Sequence, residues 1–105
     1  MTDKIVVLST CDSQKQAKTI AHRLVERKLA ACVNIVPGAT SVYRWQDKIE
    51  ESAEYLLLIK SSRPLFEKLS QELSAIHSYQ IPECIALPIV EGCESYLDWL
   101  ARALQ

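Results

Sequence analysis

The side chains that could react or bind a metal are concentrated between His77 and Cys84, in the segment HSYQIPEC. An imidazole, a phenol, a carboxylate and a thiol occur there together, which fits a metal site, a catalytic site or a plain junction between a helix and a strand. Neighbouring residues on a strand point to opposite faces, so Glu83 and Cys84 cannot bind one ion. Cys84 is therefore expected to be a small buried hydrophobic residue, and the imidazole remains the main ligand candidate of the segment.

Catalytic signatures are weak along the whole chain. We find no pair of a nucleophile and a general base, and His22 falls on the polar side of its predicted helix. The segment STCDSQKQ, which follows the first predicted strand, lacks the glycine and arginine of a phosphate cradle. No C-x-x-C pair is present, so zinc-ribbon and iron–sulfur patterns are absent from the sequence. We therefore expect a protein that is not an enzyme and that has no organic cofactor.

The composition fits one globular domain over residues 1–105 and excludes several classes of partner. Twelve basic against thirteen acidic residues give a net charge of −1, and the basic residues are scattered, so a nucleic-acid-binding surface is not expected. The apolar runs IVVL and YLLLI are much shorter than the roughly 20 residues that span a bilayer. Four irregularly spaced cysteines are expected to be reduced, and the protein to be cytoplasmic and independent of membranes.

These residues are positioned by an alternation of apolar runs and amphipathic segments. KIVVLS and EYLLLIK are short, continuously apolar runs, typical of strands buried on both faces. Ser13 and Gln16 form a predicted capping box at the start of the first helix, and Ser62 is a candidate cap for the second. ACVNIV and TSVYRWQ are predicted to form a hairpin arm, with Pro37-Gly38 as its turn signal. PECIALPIV is a further strand, and SYLDWLARAL a terminal helix.

The order of elements predicts an α+β fold, namely a ferredoxin-like β-α-β-β-α-β sandwich with an appended C-terminal helix. In this topology the two continuously apolar strands occupy the middle of the sheet, while Asn34 and Pro88 fall in edge strands, where a proline costs no ladder hydrogen bond. Both long helices cover one face of the sheet. Strands that are apolar on both faces need a second cover, so we expect another copy of the chain to supply it.

Five motifs in this order resemble the CutA family of divalent-cation tolerance proteins. They are ERKLAACVNIVPGATS, SVYRWQDKIEE, EYLLLIKSS, HSYQIPECIALPI and SYLDWL, and together they cover essentially the whole chain. The resemblance implies a homotrimer with a PII-like architecture, in which the hairpin arm reaches a neighbouring subunit. It also implies a role in tolerance to copper and other divalent cations. The chain departs from the family pattern at Ser78, where proline is expected, and at Asp47, where glycine is frequent.

The resemblance suggests two groups of functional residues. The first is a copper site formed by His77 and Cys11, although Ser9 and Ile76 stand where some members have a cysteine and a second histidine. For His77 we favour a structural role in the last helical turn, because two ligands do not make a metal site.

The second group is an inter-subunit ligand cleft. Its predicted residues are Tyr43, Trp45, Lys60, Tyr79 and Glu83. For Lys60 and Glu83, an ion pair at the subunit cleft and two solvated strand ends are equally open alternatives. Three functions remain open at this point: weak binding of a divalent cation, regulation through a small anionic ligand in the cleft, and a structural trimer that anchors a partner protein.

Overall fold

The chain forms a four-stranded antiparallel sheet with helices, as seen in a computed structural model that describes residues 2–105. The elements, in chain order, are β1 (Lys4–Cys11), α1 (Gln14–Glu26), β2 (Cys32–Trp45), β3 (Lys48–Ser62), a short 3-10 helix (Arg63–Leu65), α2 (Phe66–Ile76), β4 (Ile85–Pro88) and α3 (Glu94–Ala103). The strand order is β2-β3-β1-β4. The predicted ferredoxin-like sandwich with an appended helix is confirmed, and the two apolar strands are the central ones.

The hairpin turn lies elsewhere than predicted. Strand β2 runs through Pro37-Gly38 with a register shift between Val36 and Ala39, and the chain reverses only at Gln46-Asp47. Both turn residues have positive φ, 50° and 65°, as in the two-residue turns whose twist matches a hairpin. Because β2 is an edge strand, its proline breaks no essential ladder bond, and the following glycine adopts φ 85° at the bulge. The Pro-Gly pair therefore marks a bulge and not the end of the strand.

The main core lies between one face of the sheet and helices α1 and α2. Alternate residues of β1 point into it, and Leu57 and Ile59 of β3 join them with no exposed surface. Helix α1 begins as predicted, since the Ser13 hydroxyl accepts a hydrogen bond from the Gln16 N–H at 3.1 Å. Ser62 precedes the 3-10 helix but makes no side-chain cap.

The opposite face of the sheet is only half covered within one chain. The alternate apolar residues of the central strands, Val6, Leu8, Leu56 and Leu58, are half-buried, and the edge strand leaves Ile85 and Leu87 about half exposed. The prediction that these strands are buried on both faces therefore holds for one face of the isolated chain. Helix α3 buries Leu100, whereas Tyr96 is exposed and its ring lies 5.5 Å from the Trp99 ring, centroid to centroid.

Within residues 2–105, no helix combines the length and the apolar character needed to cross a membrane.

Candidate functional site

A cavity of about 670 Å³ lies between the hairpin arm and the segment that follows α2. Three parts of the chain form its walls: the end of β1, the strands of the arm, and the loop between α2 and β4. The lining residues are Thr10, Ser41, Val42, Tyr43, Trp45, Glu54, Ser78, Tyr79, Gln80, Ile81 and Glu83. Four of the five predicted cleft residues are thus brought together: the two aromatic residues of the arm, Tyr79 and Glu83.

His77 fixes the loop that carries Tyr79. Its Nε2 lies 2.8 Å from the carbonyl oxygen of Thr10, and its Nδ1 lies 3.0 Å from the backbone nitrogen of Tyr79. A carbonyl only accepts and a backbone N–H only donates, so the ring is the tautomer with its proton on Nε2. Both ring nitrogens are therefore occupied by the chain itself, which is the arrangement expected for a structural histidine.

Gln16 holds the same loop from helix α1. Its side-chain nitrogen donates to the carbonyl oxygen of Ile76 at 3.2 Å, and its side-chain oxygen accepts from the Ser78 N–H at 3.0 Å. The predicted return bond of the capping box to Ser13 is replaced by these two tertiary bonds. The end of α2 supplies unpaired backbone groups that a long amide side chain can satisfy, and this stabilises the entry to the cavity.

The most buried polar group of the cavity is Glu54, which the sequence analysis did not single out. It is 6% exposed, and its Oε2 accepts a hydrogen bond from the hydroxyl of Tyr79 at 2.5 Å. Burial raises the pKa of Tyr79, and the bond to the Glu54 carboxylate raises that pKa further, because both favour the protonated phenol. A signal was present in the sequence: an acid directly before an apolar central strand is a polar residue at a position expected to be buried.

The aromatic wall comes from the hairpin arm. Tyr43 and Trp45 are two residues apart on β2, so their side chains lie on the same face of the arm. They remain 42% and 37% exposed, open to the cavity and to solvent. The hydroxyl of Ser52, on β3, lies 3.5 Å from the Tyr43 hydroxyl across the arm. The Tyr43 ring is therefore held through its hydroxyl, and both rings remain accessible to a ligand.

Lys60 does not line this cavity of one chain, and its place in the predicted inter-subunit cleft stays a prediction. It pairs with Cys32 on one side and Val6 on the other, and its ammonium group donates to Asn34. Lys60 pairs with Val6 of β1, whereas Glu83 lies two residues before Ile85, which pairs with Leu8. Lys60 and Glu83 are therefore about four strand positions, or about 13 Å, apart along the strand direction. Within one chain, no ion pair between Lys60 and Glu83 forms among the described residues.

Cys11, the second predicted copper ligand, lies in the core. It has no exposed surface, and its thiol donates weakly to the Ser13 carbonyl oxygen at 3.6 Å. Burial raises the pKa of this thiol, opposed by the Ser13 bond, and thiolate is the form that binds metals. Within residues 2–105 no group of three or more His, Cys, Asp and Glu side chains is arranged to hold an ion. The copper-ligand role of His77 and Cys11 stays a prediction that these contacts do not favour.

Cys84 is half-buried against the core, close to its predicted role as a small hydrophobic residue. Burial raises the pKa of its thiol, a hydrogen bond with Ser70 lowers it in part, and the charge of Glu83 raises it. Cys93 is exposed, and His22 is exposed on the outer side of α1, which agrees with its predicted place on the polar side of that helix.

Residues 5–103 match the family of CutA1 divalent ion tolerance proteins. The chain belongs to the CutA1 family. It is 56% identical over 95 residues to a divalent-cation tolerance protein CutA of Thermus thermophilus, covering 90% of this chain and 92% of that protein. It is 48% identical to a chloroplastic CutA of Arabidopsis thaliana, covering 94% of this chain but 54% of the plant protein. The structure of CutA from Xylella fastidiosa superposes with a TM-score of 0.96 at 39% identity, covering 99% of this chain and 100% of that one.

The charged residues that line the cavity of this CutA1 protein are all acidic. Glu54 and Glu83 are its charged lining residues, and the described lining contains no lysine, arginine or histidine. Hydroxyls and a side-chain amide supply further oxygen atoms around the two carboxylates. Such a set of groups attracts a cation and repels an anion.

Proposed function

We propose that this CutA1 protein binds divalent cations weakly in the cavity and serves divalent-cation tolerance as a homotrimer. The observation that supports a cation most directly is the pair of carboxylates, one of them 6% exposed, in a cavity whose described lining carries no basic side chain. Carboxylate, hydroxyl and amide oxygens are ligands for divalent ions. The same charge disfavours the alternative of a small anionic ligand, and Lys60, the one lysine of the predicted cleft, does not line the cavity.

Weak binding follows from the small number of charged ligands. Two carboxylates leave most of the coordination shell to neutral oxygens, to water or to another subunit, and no group of three or more acidic, histidine or cysteine ligands occurs in residues 2–105. Copper is the first ion to test, because Cu²⁺ binds a given set of ligands most strongly among the divalent ions of its row.

The homotrimer is supported by the uncovered face of the sheet. Half-buried leucines and valine on the central strands and exposed apolar residues on β4 form a face that the chain itself covers only in part. Light scattering at micromolar concentration should give three times the chain mass of 11.9 kDa. A monomer mass would contradict this part of the proposal. A cytoplasmic location is proposed with it, since the four cysteines are free and do not depend on an oxidising compartment.

Calorimetric titration with Cu²⁺, and with redox-inert Zn²⁺, tests the cation site. The parent is Cys93→Ser, because the exposed thiol would otherwise bind or reduce the metal. Glu54→Gln and Glu83→Gln should each weaken binding about tenfold, or ~1.4 kcal/mol, by removing one charged ligand. Glu91→Gln, an exposed acid that does not line the cavity, is the matched control.

The outcomes separate the two metal hypotheses. Unchanged binding in both cavity variants would rule out the cavity as the metal site. If His77→Ala alone abolished binding under the same conditions, the site would be the one predicted around His77 and Cys11, despite the hydrogen bonds that occupy the imidazole.

A further inference from the structure

We propose that the cavity is also a receptor for a small organic cation, an alkylammonium ion, held by Tyr43, Trp45 and Tyr79 with Glu54 as its counter-charge. This inference rests on the proposed cation site and names a second class of ligand for it. It follows from a buried acid with a free oxygen, together with two features that a simple inorganic site does not require: an aromatic wall and a volume far larger than one ion.

The counter-charge is already ordered before any ligand binds. Glu54 is 6% exposed, and the described contacts involve only its Oε2, which Tyr79 holds at 2.5 Å. Its Oε1 is therefore left to accept a bond from an N–H group of a ligand. A charge-assisted bond to a carboxylate that is mostly removed from water is about twice as strong as one between neutral groups. Glu83, at the more exposed rim, adds to the negative potential.

Tyr79 bonds this carboxylate, and two further aromatic side chains line the same cavity further along the arm. Tyr43 and Trp45 share one face of the arm, and Tyr79 lies on the opposite wall, where its ring packs 4.7 Å from the His77 ring. A cation over the face of a tryptophan or tyrosine gains about 0.5–2 kcal/mol, more when it is desolvated. These partly open rings therefore add affinity for an ammonium group with an alkyl chain, which a hydrated metal ion would not gain.

The size of the cavity supports an organic ligand as well. A volume of about 670 Å³ lies within the roughly 300–1,000 Å³ of small-molecule sites. Ile81 adds an apolar side chain to the lining of the cavity. An ammonium head near Glu54 with a short alkyl chain along this wall satisfies both the charged and the apolar parts of the cavity.

Fluorescence of Trp45 can report occupancy directly, because the chain has two tryptophans and only one of them lines the cavity. In the Trp99→Phe variant, titration with butylammonium should change the Trp45 emission in a saturable way at millimolar concentration. 1-Butanol, which has a similar shape without charge, should not. Calorimetry on the protein with both tryptophans provides the affinity.

Two substitutions and a matched control complete the test. Trp45→Leu and Glu54→Gln should each weaken butylammonium binding at least fivefold, which corresponds to about 1 kcal/mol. Tyr96→Leu, an exposed aromatic residue of similar exposure outside the cavity, should leave it unchanged. Equal binding of butanol and butylammonium, or no effect of Trp45→Leu, would overturn the inference.

The metal titrations distinguish this failure from that of the proposed function. If Cu²⁺ or Zn²⁺ binding depends on Glu54 and butylammonium does not bind, the cation site stands and the organic ligand class is wrong. If neither class of cation binds, both proposals are wrong. We expect Trp45→Leu to leave metal binding unchanged and to weaken butylammonium binding.

Discussion

The hydrogen bond between Tyr79 and Glu54 provides the sharpest test of how the cavity is built. Tyr79→Phe removes the hydroxyl and leaves a carboxylate that is 6% exposed without its bond at Oε2. Bonds to charged groups contribute about 1.5–3 kcal/mol, and because Tyr79 is itself only partly buried we expect the lower half, about 1.5–2 kcal/mol. For a domain near 100 residues this corresponds to a fall in Tm of about 6–15 °C.

The pH dependence gives the same prediction a second, independent readout. The pKa of Tyr79 is raised above its ordinary value of 10.0, so between the two values the folded protein keeps a proton that the unfolded chain has lost. Stability then falls as pH rises, and the contribution of this bond is fully present below about pH 10. The difference in Tm between the parent and Tyr79→Phe should therefore be constant from pH 7 to 9 and should shrink above pH 10.

Differential scanning calorimetry at one fixed protein concentration measures both effects, since assembly makes Tm depend on concentration. Glu54→Gln and the double variant complete a double-mutant cycle. The reasoning is refuted if Tyr79→Phe lowers the free energy of unfolding by less than about 0.5 kcal/mol, or by the same amount with and without the Glu54 carboxylate. If the difference in Tm between the parent and Tyr79→Phe were the same at pH 11 as at pH 7, the folded protein would not retain the Tyr79 proton.

Three further outcomes are expected. Ser9→Ala should leave stability unchanged or raise it by up to about 1 kcal/mol, because the buried Ser9 hydroxyl has no partner among the described residues; a loss above 1 kcal/mol by thermal unfolding would contradict this. Asp47→Gly should stabilise the arm by about 0.5–1 kcal/mol, since Asp47 has φ 65°, and slower amide exchange in the arm is the measurement. Cys93 should react first with a thiol reagent at pH 8 and Cys11 last, because Cys11 is fully buried and its pKa is raised; equal rates would indicate local opening of the core.

The fold could be predicted because its signals are local and repeated. Continuous apolar runs identify the central strands, while Asn34 and Pro88 identify the edges, and each signal agrees with the topology. The hairpin turn was placed wrongly because Pro37-Gly38 is the strongest local turn signal, whereas the true turn, Gln46-Asp47, uses residues that only tolerate positive φ. Cross-strand pairing over the whole arm outweighs that local preference.

The site was harder to predict because it depends on register and on tertiary hydrogen bonds. Lys60 and Glu83 both stand at strand ends in the sequence, but the pairing of β1 with its two neighbours places them at different levels of the sheet. Glu54 was missed since its role comes from a tyrosine 25 positions away, and His77 was considered as a ligand because its backbone partners cannot be read from the sequence. The sequence identifies most residues with reactive or charged side chains, but it does not show which residues they contact.

The arm connects the cavity to the proposed homotrimer. Tyr43 and Trp45 lie on one face of a two-stranded hairpin, and Ile49, paired with Arg44, lies on the other face and is 63% exposed. An isolated hairpin is marginally stable in water, so the position of the aromatic wall depends on what covers that second face. If a neighbouring subunit covers it, assembly and ligand binding stabilise the same conformation, and by linkage each strengthens the other. Ile49→Asp does not alter the cavity lining, and it should therefore weaken both the trimer and butylammonium binding. An effect on one without the other would show that the arm does not link ligand binding to assembly.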